Sequence, residues 1–244
     1  MKKNILLVLI SLLISTQIYA QQNLFNIPSG DITPKGKVFY QHQINVYSNK
    51  FESKGHFVYG LGKQWDAGIN IVGTGAYFTP EFKAIYNSDY TEKKALSPTA
   101  MLSVQKQFTV NKYVTANVGT QAGINLSNQS SKIQPAYFHY GLLGYQFKPG
   151  RKLLIGPYLT NNQYVGPGNR AGIQAGYEWK LNKKIYLMGD FISGNNESSV
   201  LVSGLMYNVN KKIQLCMGYM IPNPNSIKRQ GLVFEFNWYG WNAL

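Results

Sequence analysis

The stretch Tyr113-Val114-Thr115-Ala116-Asn117-Val118-Gly119-Thr120-Gln121-Ala122-Gly123-Ile124-Asn125-Leu126 decides the fold. In an extended chain, residues i, i+2 and i+4 share a face. One face here is Val114, Ala116, Val118, Thr120, Ala122, Ile124 and Leu126, and the other is Tyr113, Thr115, Asn117, Gly119, Gln121, Gly123 and Asn125. A helix would need apolar residues at i, i+3 and i+4, and this segment does not supply them. It reads as a strand with one greasy and one wet side.

The same sorting works outward in both directions. Ala171, Ile173, Ala175, Tyr177, Trp179 and Leu181 oppose Gly172, Gln174, Gly176, Glu178 and Lys180. Ile213, Leu215, Met217, Tyr219 and Ile221 oppose Gln214, Cys216, Gly218 and Met220; Leu232, Phe234, Phe236 and Trp238 oppose Val233, Glu235 and Asn237. Trp65, Ala67, Ile69 and Ile71 oppose Asp66, Gly68 and Asn70. Segments 137–147 and 200–209 are apolar on both faces, and 38–47 places His42 on its apolar face; β-branched and aromatic content with flanking turn residues assigns them as strands. The expected strands are 37–47, 52–62, 65–75, 97–108, 112–126, 136–147, 152–161, 170–181, 184–194, 197–209, 212–221 and 228–239.

The connections alternate in kind. Tight basic turns (Gly62-Lys63-Gln64, Val110-Asn111-Lys112, Lys148-Pro149-Gly150-Arg151, Asn182-Lys183, Asn210-Lys211) take turns with polar ones, 48–51, 76–96, 127–135, 162–169, 194–196 and 222–227. Short turns at one end and longer loops at the other are the plan of an antiparallel up-and-down barrel in an outer membrane, here of about 12 strands. Phe78 to Tyr86 is read as part of a large loop, 76–96, folding toward the lumen, although it has the length of a further strand. The competing arrangement is a water-soluble exported barrel or sandwich with its apolar face inward. Composition suits a membrane barrel: charged residues are only 14%, against roughly 25% in soluble domains. Tyr, Gly and uncharged polar residues take their place, and mean hydropathy is slightly negative at −0.21.

Met1-Lys2-Lys3-Asn4, an apolar run from Ile5 to Ile14, and Ile18-Tyr19-Ala20 before Gln21 follow the plan of a cleaved secretory signal, 1–20. Its loss takes the formal net charge from +14 to +12. Residues 21–36 then form a periplasmic lead-in, and 37–244 the barrel. One cysteine, Cys216, excludes a disulfide framework within the chain, and on the inner face it reads as a small packed residue.

The mature chain resembles the small outer-membrane barrels of Gram-negative bacteria, those of Bacteroidetes type above all. Asn26-Ile27-Pro28-Ser29-Gly30-Asp31-Ile32-Thr33-Pro34-Lys35-Gly36 and Gly60-Leu61-Gly62-Lys63-Gln64-Trp65-Asp66-Ala67-Gly68-Ile69-Asn70 are similar to the opening and the second hairpin of the transporter family grouped with meta-pathway phenol degradation. Phe234-Glu235-Phe236-Asn237-Trp238 resembles the terminal strand read by barrel-insertion machinery, although the chain ends at Leu244 rather than an aromatic residue. The resemblance implies an outer-membrane location, insertion machinery as a partner and a transport role.

Catalytic and metal motifs are absent: His42, His56 and His139 stand in no His-Glu-x-x-His or His-x-His pattern, no Gly-x-Ser-x-Gly elbow occurs, and no serine adjoins a histidine along a strand. Neither enzyme activity nor a metal or cofactor is expected. Lysines scattered over turns of an exported chain suit anionic lipid headgroups better than nucleic acid. Trp65, Tyr113, Tyr177, Trp179, Tyr207, Trp238 and Trp241 lie near strand ends, as interfacial girdles require. The registers aim Asp66, Asn70, Asn117, Gln121, Asn125, Gln174, Glu178, Lys180, Asp190, Gln214, Glu235 and Asn237 at the lumen. With four acids among them, the expectation is a narrow, weakly cation-tolerant channel or transporter for a small polar or amphipathic solute. A closed structural or surface-interaction barrel stands as the alternative, and a lipid-modifying enzyme as a distant third.

Overall fold

The computed structural model describes residues 23–89, 91, 94–126 and 133–242; the signal segment, most of 127–135 and Leu244 lie outside these. Thirteen strands follow one another: β1 (Val38–Val46), β2 (Lys50–Gly62), β3 (Trp65–Tyr77), β4 (Lys83–Ala84), β5 (Thr99–Thr109), β6 (Val114–Asn125), β7 (Pro135–Lys148), β8 (Arg151–Thr160), β9 (Ala171–Lys180), β10 (Ile185–Ile192), β11 (Val200–Asn208), β12 (Ile213–Pro222) and β13 (Gly231–Tyr239). Chain neighbours pair antiparallel around the sheet, β3 pairs with β5, and β13 closes on β1 through Phe39↔Tyr239 to Val46↔Leu232. Twelve strands therefore make a closed wall, and β4 hangs from the end of β3 by two residue pairs, Ala76↔Ala84 and Tyr77↔Lys83. The stretch 78–86 is a flap on the barrel's mouth and leaves the even count intact.

The short turns share one device. Asn111 Oδ1 accepts from the backbone N–H of Tyr113 at 2.8 Å and Val114 at 3.0 Å. Asn182 does the same for Lys184 (2.8 Å) and Ile185 (2.9 Å), and Asn210 for Lys212 (2.8 Å). A short amide side chain mimics the backbone and reverses the strand, which is why Asn-Lys recurs at these corners. Basic side chains then lie over the aromatic rings beside them: Lys112 on Tyr113 at 4.7 Å, Arg151 on Trp179 at 4.3 Å, Lys106 on Trp65 at 5.2 Å and Lys184 on Tyr207 at 5.8 Å.

The apolar face points outward. Leu102, Ile69, Leu143, Ile155, Ile173 and Met217 are each more than half exposed. A continuous apolar band around a closed sheet is far larger than any patch a soluble monomer shows, and this disposes of the inward-packed soluble arrangement. Trp65, Tyr113, Tyr207 and Trp238 are exposed on this surface, and Tyr177 and Trp179 are half-buried in it. Trp241 departs from the girdle. After β13 the chain turns back (Gly240 N–H donates to Val38 O, 2.8 Å), and the indole packs edge-on to Tyr239 at 5.1 Å. Tyr239, Phe39 and Val58 face inward, so Trp241 closes the short-turn mouth.

The interior differs from the uniformly polar lumen that alternation suggests. On strands β7 to β13, Phe138, Leu142, Tyr186, Met188, Val202, Met206 and Met220 form a buried apolar cluster with Leu24, Phe25 and Ile27. Residues 23–33 thus run inside the barrel, and only 34–36 emerge exposed, where a lead-in beneath it was expected. The physical reason is the apolar half-lumen: the three large side chains leave water by packing into it. Wall glycines make the room, since a Cβ on Gly218 would lie 2.8 Å from the Phe25 ring, and one on Gly176 would lie 2.9 Å from Ile27 Cδ1.

Candidate functional site

The inner segment is fastened through its backbone. Asp190 on β10 accepts from the N–H of Asn26 and, at 3.1 Å, from that of Ile27. Asp66 at the start of β3 accepts from Thr33 N–H at 2.9 Å and from the Gln105 amide at 3.3 Å. The Gly30 carbonyl receives the Asn117 amide at 2.5 Å and the Gln107 amide at 2.6 Å; the Asp31 carbonyl receives that of Gln105 at 2.9 Å. The Asp31 carboxylate pairs with Lys152 Nζ at 2.5 Å. Buried backbone groups need partners, and a segment with no strand ladder of its own takes them from wall side chains.

Those anchors account for several of the residues expected to line a path. Asp66, Asn70, Asn117, Asn125, Gln174, Glu178, Asp190, Gln214, Glu235 and Asn237 are buried on the inner face, and Gln121 and Lys180 are half-buried there. Asp66, Asn117 and Asp190 hold the inner segment. Glu235 receives the Gln41 amide at 3.2 Å, Gln214 bonds Asn208 and Tyr239, and Asn237 donates to Cys216 Sγ at 3.6 Å. Lys180 lies over the Tyr186 ring. Only Asp66, Asn70 and Gln121 among them also reach open space. Of the four acids, Asp66 and Asp190 bond the inner segment and Glu235 bonds Gln41 of the wall.

The open space is a vestibule of about 550 Å³ at the long-loop end, floored by Asn23, Asn26 and Pro28. Its lid is three interlocked loops. Leu96 N–H donates to Gln163 O at 2.8 Å, Glu197 N–H to Val165 O at 2.9 Å, and Ala95 N–H to Glu197 Oε1 at 3.0 Å. Asn161 caps the helical turn Asn162–Val165, which presents Tyr164 to Gln121 at 3.0 Å. The 78–98 connection is tucked into the mouth by Asn125, whose amide reaches the Asn87 carbonyl at 3.0 Å.

Lys50, Lys54, Lys94, Lys228 and Arg229 line this vestibule, against the carboxylates of Glu52, Glu197 and Asp66. Glu52 is shared by Lys50 (2.5 Å), Lys228 (3.8 Å) and the Tyr47 hydroxyl (3.1 Å). Lys54 Nζ contacts only neutral oxygens, Phe25 O and Asn26 Oδ1, both at 3.3 Å, among the described hydrogen bonds. Burial pushes the Tyr47 hydroxyl up to about 12, with Lys228 opposing and Glu52 adding to the rise. For Lys228, burial works against the ammonium, but the Tyr47, Glu52 and Glu197 oxygens outweigh it and raise its pKa. Burial likewise raises the Glu197 carboxyl, against the Ala95 N–H.

Sequence reasoning missed Lys54, Lys152 and Lys228, though two were within reach: Lys54 has the parity of inward Glu52 and His56, and Lys152 that of inward Leu154 and Tyr158. Of the histidines, His56 lines the vestibule, while His42 and His139 lie on the outer surface.

No protein-family model and no curated protein matches the chain. Among solved structures, the fold is similar to that of the NanC porin, at 10% identity and a TM-score of 0.55, over 82% of this chain and 97% of that one. Looser likenesses are outer membrane phospholipase A from Escherichia coli (10% identity, TM-score 0.46, 87% and 93% covered) and the Ralstonia pickettii toluene transporter TbuX (11%, 0.35, 84% and 89%). At such identities the likeness is one of fold. The chain is a closed barrel of outer-membrane type. The motif resemblance to the meta-pathway transporters gains no family-level support.

Proposed function

We propose that this chain is an outer-membrane transport barrel that admits a small acidic solute into its vestibule and releases it when residues 23–36 shift. The observation that carries the reading is the vestibule itself: its cations outnumber its carboxylates, and its floor is a separate, hydrogen-bonded segment rather than the wall. Cations facing a confined space favour anions. This replaces the cation preference expected from the inner-face acids. The size suits a small molecule, since ligand pockets span roughly 300–1,000 Å³. In this reading the short Asn-Lys turns face the periplasm, and their lysines and arginine meet anionic headgroups there. Cleavage of 1–20 and hand-over to insertion machinery belong to the same proposal.

Single-channel recording in planar bilayers tests it. The intact barrel should show small, anion-preferring, flickering conductance, and deletion of 23–34 should give a larger and steadier one. No current from either protein would leave a closed structural barrel as the reading.

A further inference from the structure

The outer surface carries an arrangement that transport does not use. On β1 and β2, Gln43 and Lys54 pair and face inward, so the flanking pairs His42↔Gly55 and Ile44↔Ser53 face the lipid. There Ser53 Oγ lies 3.0 Å from His42 Nε2, and His42 Nδ1 lies 3.1 Å from the Tyr40 hydroxyl. Either tautomer satisfies both contacts; in the one with its proton on Nδ1, donated to the tyrosine oxygen, Nε2 is left to accept the serine proton. The serine missing beside His42 along the strand is thus supplied from the next strand.

Two further features set this group apart from the other outward hydroxyl–histidine contact, that of Thr120 with His139 at 2.6 Å. Opposite this pair β3 carries a bulge: between Ser53↔Thr74 and Gly55↔Ile71 it spends one residue more than β2, at Val72–Gly73, and bulges occur beside active sites. Thr74 Oγ1 fixes the bulge by donating to Ser53 O at 3.0 Å, and Gly73 within it takes the left-handed φ of +74°. Gly55, having no side chain, leaves the His42 ring open from the side, where a Cβ would stand 3.7 Å from Nδ1. Ser53 sits three residues inside the long-loop end of β2, about 7 Å deep for a strand tilted near 45°. Its outward neighbours across the register, Ile44 on β1 and Phe234 on β13, are apolar.

We propose that Ser53 and His42 form a nucleophile–base pair that hydrolyses long-chain acyl esters of the surrounding lipid, with Tyr40 as a positioning residue. Ser53 Oγ attacks the ester carbonyl carbon as its proton passes to His42 Nε2. The bond to the alcohol oxygen breaks, and that oxygen leaves with the proton from His42. Water then attacks the acyl–Ser53 ester, His42 taking its proton and returning it to Ser53 Oγ, and the fatty acid is released. Tyr40, 3.1 Å from Nδ1, orients the ring toward serine and accepts from Nδ1–H when Nε2 takes the serine proton.

The test uses the full mature barrel in detergent, its folding checked by heat-modifiable gel migration. One portion is treated with an alkyl fluorophosphonate; an untreated portion is offered phospholipid micelles and, separately, lipid A micelles, which distinguishes the two sources of acyl ester. Labelling should fall on Ser53. Ser53→Ala and His42→Ala should each lower fatty-acid release by about 10²-fold or more. Tyr40→Phe should lower kcat about tenfold with KM unchanged, and Thr120→Val, which removes the other outward hydroxyl–histidine contact (2.6 Å to His139), should change nothing. A folded wild-type barrel that neither takes the label nor releases fatty acid above the Ser53→Ala level overturns the assignment, as does labelling that survives Ser53→Ala.

Discussion

Single residues hold the inner segment in place, so single substitutions should release it. Asp190→Ala removes the acceptor for the Asn26 and Ile27 N–H groups. Each buried donor left without a partner costs about 1–3 kcal/mol. Limited proteolysis should then cut within 23–36 at least tenfold faster than in the wild type, with the barrel itself still resistant. Gly218→Val attacks the same segment from the wall, since its side chain would enter the space of the Phe25 ring. Overpacking of this kind costs about 1–3 kcal/mol, and the expected readout is a rise in open-channel time in bilayer recordings. Unchanged gating in both variants would mean that residues 23–36 do not control passage. Cys216 gives a quieter outcome: it is buried and meets Asn237, so alkylating reagents should leave it unmodified while the barrel is folded.

At the scale of elements, the lid loops should respond to pH through Glu197. Its carboxyl is raised by burial under the packed loops. A carboxyl with a higher pKa when packed favours packing while it is protonated. That contribution is complete below the ordinary value of 4.5 and is lost as pH rises through the raised value. Hydrogen exchange at Ala95 and Leu96, corrected for its intrinsic pH dependence, should show strongest protection at the acidic end, and Glu197→Gln should flatten the profile. The strands themselves were legible because period two survives wherever one face meets lipid; in Ile213 to Ile221 and Leu232 to Trp238 every lipid-facing residue is apolar. The inner segment was not legible. Leu24, Phe25 and Ile27 follow no strand or helix period, and their partners (Met188, Met206, Met220) lie far along the chain. The Ser53–His42 contact was hidden for a related reason: adjacency in a sheet is set by register, which sequence neighbours do not reveal.

For the molecule as a whole, the balance of charge around the vestibule should set ion preference. Replacing Lys228 and Arg229 together by Gln should move the reversal potential in a salt gradient toward that of a non-selective pore. A retained or strengthened anion preference would place the selecting groups elsewhere. Closure of the wall has its own consequence. The seam joins β1 to β13, the first and last strands, so it cannot zip until the whole chain has been delivered. Residues 23–33 emerge before any of the wall and end up enclosed by it. Assembly therefore wraps late-made hairpins around an early-made guest, and a protein refolded with that guest shut out would have no wide door through which to readmit it.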